Sequence, residues 1–292
     1  MLDNFKLNCN AGHLGRQRLI LAIALLVVGW LVYAEVAEAR RAITQQERST
    51  PIQREIERQR QRLSSTEAEE RRDALMHLGN LKRPDASRAA AGALNDETPT
   101  VRVAAAHAIL SLPSAEAANL LFPLAKDKDE FVRREAVFAL GESHSRAATT
   151  MLVDLMLHDK KPSVRGAAAV ALGQIGDESA LAALSQVVAG QESKKKKSKS
   201  FEEEFIVRSA VRSLGQIGSH SSVPTLISAL QDEANSIETR REAATALGSI
   251  GDPSALSALQ AAAAANNDPY LSEAARAAIR QINRAKTKGA GN

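Results

Sequence analysis

Six histidines (His13, His77, His107, His144, His158 and His220) and one cysteine (Cys9) are the side chains of this 292-residue sequence best suited to holding a metal or activating a nucleophile. Helical metal sites place their ligands at i and i+4, or pair histidine with carboxylate at a recurring spacing. These histidines do neither, and a single cysteine supports no disulfide framework and no cysteine-built metal centre. No serine, cysteine or histidine cluster sets a nucleophile beside a base. The Gly-x-x-Gly elements at 173–176, 215–218 and 248–251 resemble phosphate loops only superficially, because they lack the strand and the lysine of a P-loop. Helix termination explains them better. No catalysis, metal or cofactor is therefore expected.

With chemistry set aside, attention turns to the elements that would position a binding surface. Hydrophobic residues make up 44% of the chain and charged ones 25%, while aromatics are only 3%, so the core must be built from aliphatic and small side chains. Formal net charge is +4, but ten Lys/Arg against six Asp/Glu fall within residues 1–63, leaving twenty-eight of each sign beyond. The excess charge belongs to the N-terminal region, which argues against nucleic acid as a partner of the rest. The aromatic interleaving of a single-strand binder is also missing.

Residues 19–34 form an uninterrupted apolar run after a tail of residues 1–18 carrying Arg16 and Arg18. Extended to residue 37, the run approaches membrane-spanning length, with Trp30 and Tyr33 where an interfacial belt would fall. A single-pass anchor is expected, with the bulk of the chain exported and the tail left inside. A cleaved signal peptide ending near Val32-Tyr33-Ala34, or a buried core helix, also fits the run. Residues 38–63 are dense in Arg, Glu and Gln and read as a helical stalk, with Thr50 as N-cap and Pro51 at the first helical position.

The remainder repeats. Ten-residue windows beginning at Glu70, Val101, Val132, Val164, Ile206, Thr239 and Leu271 are spaced by 31, 31, 32, 42, 33 and 32 residues. The fifth position is always alanine (Ala74, Ala105, Ala136, Ala168, Ala210, Ala243, Ala275), and the ninth is Leu or Ile (Leu78, Ile109, Leu140, Leu172, Leu214, Leu247, Ile279). These positions are i and i+4 on one helix face, and alanine there permits close helix approach. Five windows end on glycine (Gly79, Gly141, Gly173, Gly215, Gly248), where a left-handed residue would close the helix. A second apolar helix lies between windows, so the unit is a hairpin that must stack on its neighbours. The 42-residue spacing contains an insertion at 191–204 with lysines at 194–197 and 199, read as a solvated loop with an anionic-surface contact as the alternative.

The phrases VRGAAAVALGQIGDESALAAL from Val164 and TRREAATALGSIGDPSALSAL from Thr239 resemble HEAT-like repeats of the phycobilisome-lyase type. The resemblance implies an all-α solenoid of about seven helical hairpins over residues 64–284, with residues 285–292 as a flexible tail. It also implies a protein-docking role, or alternatively a lyase-like or chaperone subunit that handles a chromophore on a partner protein. Deoxyhypusine hydroxylases, in the same repeat class, build a di-iron site on His-Glu pairs, and no His-Glu dipeptide occurs here.

Two further patterns concern binding. Arg71, Arg102, Arg133, Arg165 and Arg240 recur at the second window position, and Asp96, Asp127, Asp159 and Asp232 in the turns, either as ion pairs that tie each turn to its neighbour or as a basic ladder for an acidic ligand. The third and seventh positions lie opposite the Ala/Leu stripe: Arg72 and Met76, Val103 and His107, Arg134 and Phe138, Gly166 and Val170, Arg208 and Arg212, Arg241 and Thr245. They are expected to form a basic concave groove with apolar spots, suited to an amphipathic or acidic peptide. Packing of the apolar members against neighbouring helices is the competing reading.

Overall fold

The computed structural model describes residues 50–190, 201–265 and 268–289. The chain divides into two compact units, 1–58 and 59–292. Of the first, only Thr50 and the opening of helix α1 (Pro51–Arg62) are described. Thr50 caps that helix as the sequence predicts. The Gln53 N–H donates to Thr50 Oγ1 at 3.2 Å and the Thr50 N–H to Gln53 Oε1 at 2.9 Å, a reciprocal capping box.

The expectation of a single-pass membrane protein is corrected: among the described residues no helix is long and apolar enough to cross a membrane. The segment 19–37 on which it rested, the tail 1–18 and the stalk as far as residue 49 lie outside the described residues.

The second unit is all helical in its described residues and contains, in order, α2 (Ala68–Asn80), α3 (Pro84–Ala90), α4 (Pro99–Ala108), α5 (Ser114–Leu121), α6 (Glu130–Glu142), α7 (Thr149–His158), α8 (Pro162–Ile175), α9 (Leu181–Ala189), α10 (Phe201–Ile217), α11 (Val223–Gln231), α12 (Ile237–Ile250), α13 (Leu256–Ala264) and α14 (Pro269–Gly289). The even-numbered helices carry the windows, each packing on the next from α2 to α14, while the odd-numbered helices form a second layer behind them. The fifth-position alanines and the ninth-position residues from Leu78 to Leu247 are completely buried. In α14, the last of the stack, Ala278 and Ile282 turn inward and Ile279 is left half-exposed. That helix also runs on to Gly289, past the expected boundary at 284.

The window-ending glycines do a different job from the expected one. Gly79, Gly141, Gly173, Gly215 and Gly248 lie within or at the last turn of their helices, and none has a positive φ. A Cβ at Gly141 would stand 2.8 Å from the Ala171 Cα, at Gly173 2.8 Å from the Ser213 Cα, and at Gly248 2.8 Å from the Ala278 Cα. These glycines let consecutive even helices touch backbone to backbone. The left-handed closure falls three residues later, on Gly176, Gly218 and Gly251, at φ of 70°, 76° and 79°.

The arginine–aspartate pattern is structural in the first three units. Arg71 pairs with Asp96 at 2.7 Å, Arg102 with Asp127 at 2.8 Å and Arg133 with Asp159 at 3.0 Å, all with little solvent exposure. Each guanidinium also donates to two carbonyls of the turn before its own helix, as Arg102 does to Asp96 O and Glu97 O at 2.8 and 3.1 Å. One side chain thereby ties two successive turns together. Burial opposes the charge of Asp96, but hydrogen bonds from Arg71 and from the Thr98 N–H hold its carboxyl below the ordinary value. Asp127 is lowered likewise: burial again opposes the charge, and the Asp129 N–H and Arg102 overcome it. Among the described residues Arg165 and Arg240 instead donate to carbonyls, Asp159 O at 2.8 Å and Leu230 O at 2.9 Å.

Residues 201–204, expected within the insertion loop, belong to α10. Residues 191–200, which include the lysine run at 194–199, lie outside the described residues.

Candidate docking face

All ten side chains predicted to line the groove are at least partly solvent-accessible, on one face of the even-helix layer. The face holds three successive depressions. Arg72, Met76, Val103 and His107 meet in the first, about 540 Å³ in volume, together with Phe131. Arg134 and Phe138 line the second, about 450 Å³, with Pro162, Phe201 and Phe205. Val170, Arg208, Arg212 and Arg241 line the third, about 320 Å³, which shares Phe205 with the second.

Aromatic side chains concentrate here. Of the six whose side chains are described, Phe131, Phe138, Phe201, Phe205 and Tyr270 lie on even helices at this face, and only Phe122 lies elsewhere. Phe201 and Tyr270 are 83% and 70% exposed. Arg134 lies 5.2 Å over the Phe131 ring and Arg241 5.3 Å over Tyr270, within cation–π range. Phe205 has a seat of its own: a Cβ on Gly166 would fall 2.3 Å from its ring, so the bare third position of that window is what admits it.

Sequence reasoning missed Phe131, Phe205 and Tyr270 because each stands one residue before its window. That position is i−3 from the third and therefore on the same helix face. It also missed the carboxylates of the fourth position. His107 Nε2 lies 3.5 Å from Glu135, Arg134 contacts Glu135 at 2.9 Å, and Arg212 pairs with Glu242 at 2.9 Å through two parallel bonds. Hydrogen bonding to Glu242 raises the Arg212 guanidinium above its ordinary value. Arg72 pairs with Glu69 at 2.7 Å. The face is consequently less basic than expected: apolar and aromatic, with most of its cations compensated.

Among the described residues no group of three His, Cys, Asp or Glu side chains could hold a metal ion. His158 pairs with Asp154 at 2.9 Å and His220 with Asp252 at 2.7 Å, both at exposed histidines.

The family model for HEAT repeats matches residues 56–137, 121–197 and 203–280, about three-quarters of the sequence. The chain belongs to the HEAT repeat family. HEAT repeats generally mediate protein interactions, and this chain is a HEAT repeat scaffold. A solved structure of the YibA protein of Escherichia coli shares this HEAT architecture, at 19% identity over 80% of this chain and 82% of that one, with a TM-score of 0.53. The complex of CpcE and CpcF of phycocyanin lyase from Nostoc sp. PCC7120 aligns at 21% identity, 82% and 93% coverage and a TM-score of 0.48. Human deoxyhypusine hydroxylase aligns at 22% identity, 78% and 84% coverage and a TM-score of 0.40. A curated relative, an uncharacterised protein encoded in the gldA 3′ region of Geobacillus stearothermophilus, is 44% identical over 50 residues. That match covers 17% of this chain and 23% of the relative.

Proposed function

We propose that this HEAT repeat chain docks a protein partner along the even-helix face, across the three depressions, and carries out no reaction of its own. The observation that supports the reading is the gathering of Phe131, Phe138, Phe201, Phe205 and Tyr270 onto one face of a chain otherwise poor in aromatics. Exposed rings beside arginines are the usual anchors of protein interfaces, because they bury much area at little conformational cost. The three depressions are lined by residues of the even helices from α2 to α14, so that a partner lying across them would contact several units at once.

A photo-crosslinking residue at Phe138, compared with one at the exposed Ala182 on α9, tests the reading in cells. A discrete adduct at position 138, absent at 182 and lost on Arg212→Glu or Phe205→Glu in a chain that still folds, is the expected result. Equal adducts at both positions, or an adduct that survives both substitutions, would remove the face from consideration.

A further inference from the structure

The third depression differs from the rest of the face in its charge. Arg72, Arg134 and Arg212 each contact a glutamate, whereas Arg208 and Arg241 form no ion pair among the described residues. Both occupy the third window position, on the adjacent helices α10 and α12, and both line the same depression. Three arginines face two glutamates there, Glu238 and Glu242, and Glu242 is held by Arg212, so one positive charge is in excess. Phe205 forms the wall shared with the aromatic second depression, where Phe138 and Phe201 also lie.

We infer that the partner offers a short acidic-apolar segment: one large apolar side chain enters between Phe138 and Phe205, and an Asp or Glu carboxylate is received by Arg208 and Arg241. Charge complementarity selects this occupant over a basic or purely apolar one. Arg208 is one turn beyond Phe205, about 4.5 Å along the helix, and neighbouring helices lie about 8–10 Å apart. The carboxylate therefore falls within roughly one helical turn, or two to three extended residues, of the apolar anchor. Because both arginines line one depression, a single carboxylate bound there can take charge-assisted bonds from both. The inference rests on the docking reading given above and adds the chemistry of what docks.

Selection from a random-peptide display library on the immobilised full-length chain tests it. The recovered pool is expected to carry Asp or Glu within four residues of Leu, Phe, Trp or Met. The acidic bias should vanish when selection is repeated on an Arg208→Gln/Arg241→Gln chain. A fluorescent peptide from the first pool should bind that variant about tenfold or more weakly, the loss expected from a charge-assisted bond, and should bind Glu238→Gln more tightly. A pool that depends on Phe138 but shows no acidic bias overturns this inference and leaves the docking reading standing. Unchanged affinity for the double variant overturns it too, and failure to enrich any peptide over a Phe138→Glu control overturns both.

Discussion

Replacing Gly173 by alanine separates the two explanations of the window-ending glycines. If the residue were there to close α8, alanine would cost little, because the helix runs on to Ile175 and Gly176 supplies the left-handed turn. The structure requires otherwise. The new Cβ would lie 2.8 Å from the Ser213 Cα and 2.5 Å from its Oγ, against the roughly 3.5–4.0 Å at which carbon atoms rest. The Gln216 side chain can swing aside, but the α10 backbone cannot, so α8 and α10 must part by most of an ångström. Overpacking of this kind costs about 1–3 kcal/mol. The buried Ser213 Oγ bond to Ala169 O, 2.7 Å long, sits at the same contact and would be strained as well, adding about 1 kcal/mol. Alanine recovers about 1 kcal/mol of helix propensity. The net expectation is a loss of about 1–3 kcal/mol.

Gly79 is the internal control, since its Cβ would meet the Ala108 Cα at 3.2 Å, a gap that a shift of a few tenths of an ångström relieves. Gly79→Ala is expected to be near neutral, with propensity offsetting strain. Urea titrations followed by helical circular dichroism would register the contrast. With an m value of about 2–3 kcal/mol/M, a difference of about 2 kcal/mol separates the two midpoints by nearly 1 M. Equal midpoints for Gly173→Ala and Gly79→Ala would refute the close-contact account.

Arg102→Met leaves Asp127 with little exposure and without its cation, and should cost about 3 kcal/mol, whereas Arg240→Met, which among the described residues loses a carbonyl contact and no ion pair, should cost about 1 kcal/mol or less in the same titration. The lowered Asp96 and Asp127 carboxyls contribute stability that is complete above the unfolded aspartate value of about 4 and is lost as pH falls through their folded values. Urea midpoints should therefore drop below pH 4, and Asp127→Asn should start lower and fall less steeply. Gly166→Ala should displace the Phe205 ring, which can rotate away, and so weaken crosslinking from position 138 while leaving the unfolding free energy within about 1 kcal/mol of the natural chain.

The hairpin stack was legible because the fifth and ninth positions obey a rule that every unit obeys, burial against both neighbours. The same holds for the arginine–aspartate rungs, in which both partners recur in the sequence. The role of the glycines was not legible, because helix closure and backbone contact call for the same residue, and only φ and the Ala171 or Ser213 neighbours tell them apart. The compensation of the face was hidden for another reason. Position seven of one unit meets position four of the next, as Arg212 meets Glu242 thirty residues on, and that register is set by how the units stack. The aromatic residues were visible in principle. Carrying the helix face one turn upstream of the windows would have brought Phe131, Phe205 and Tyr270 into line with the third positions Arg134, Arg208 and Glu273.

The departures from the repeat gather at α10. Its ladder position holds Val207, which cannot form the rung to Asp232, and α10 is 17 residues long where α8 and α12 have 14. Glu204, two residues before the window, supplies a substitute. Glu204 accepts from the Ser236 hydroxyl and from its N–H at 3.3 Å, and from Thr239 Oγ1 at 2.5 Å, so a carboxylate of one unit now grips the helix start of the next. The added residues 201–203 carry Phe201 onto the docking face, beside Phe205 at the position that Phe131 and Tyr270 hold in their own units. The exchanged rung and the aromatic wall thus meet at the start of one helix. Glu204→Ala should then cost about 1–3 kcal/mol, the scale of losing a carboxylate held by several donors, and should weaken partner binding as the start of α10 loosens. If Glu204→Ala leaves both the urea midpoint and the crosslink at position 138 unchanged, Glu204 is neither a rung nor a support for the face.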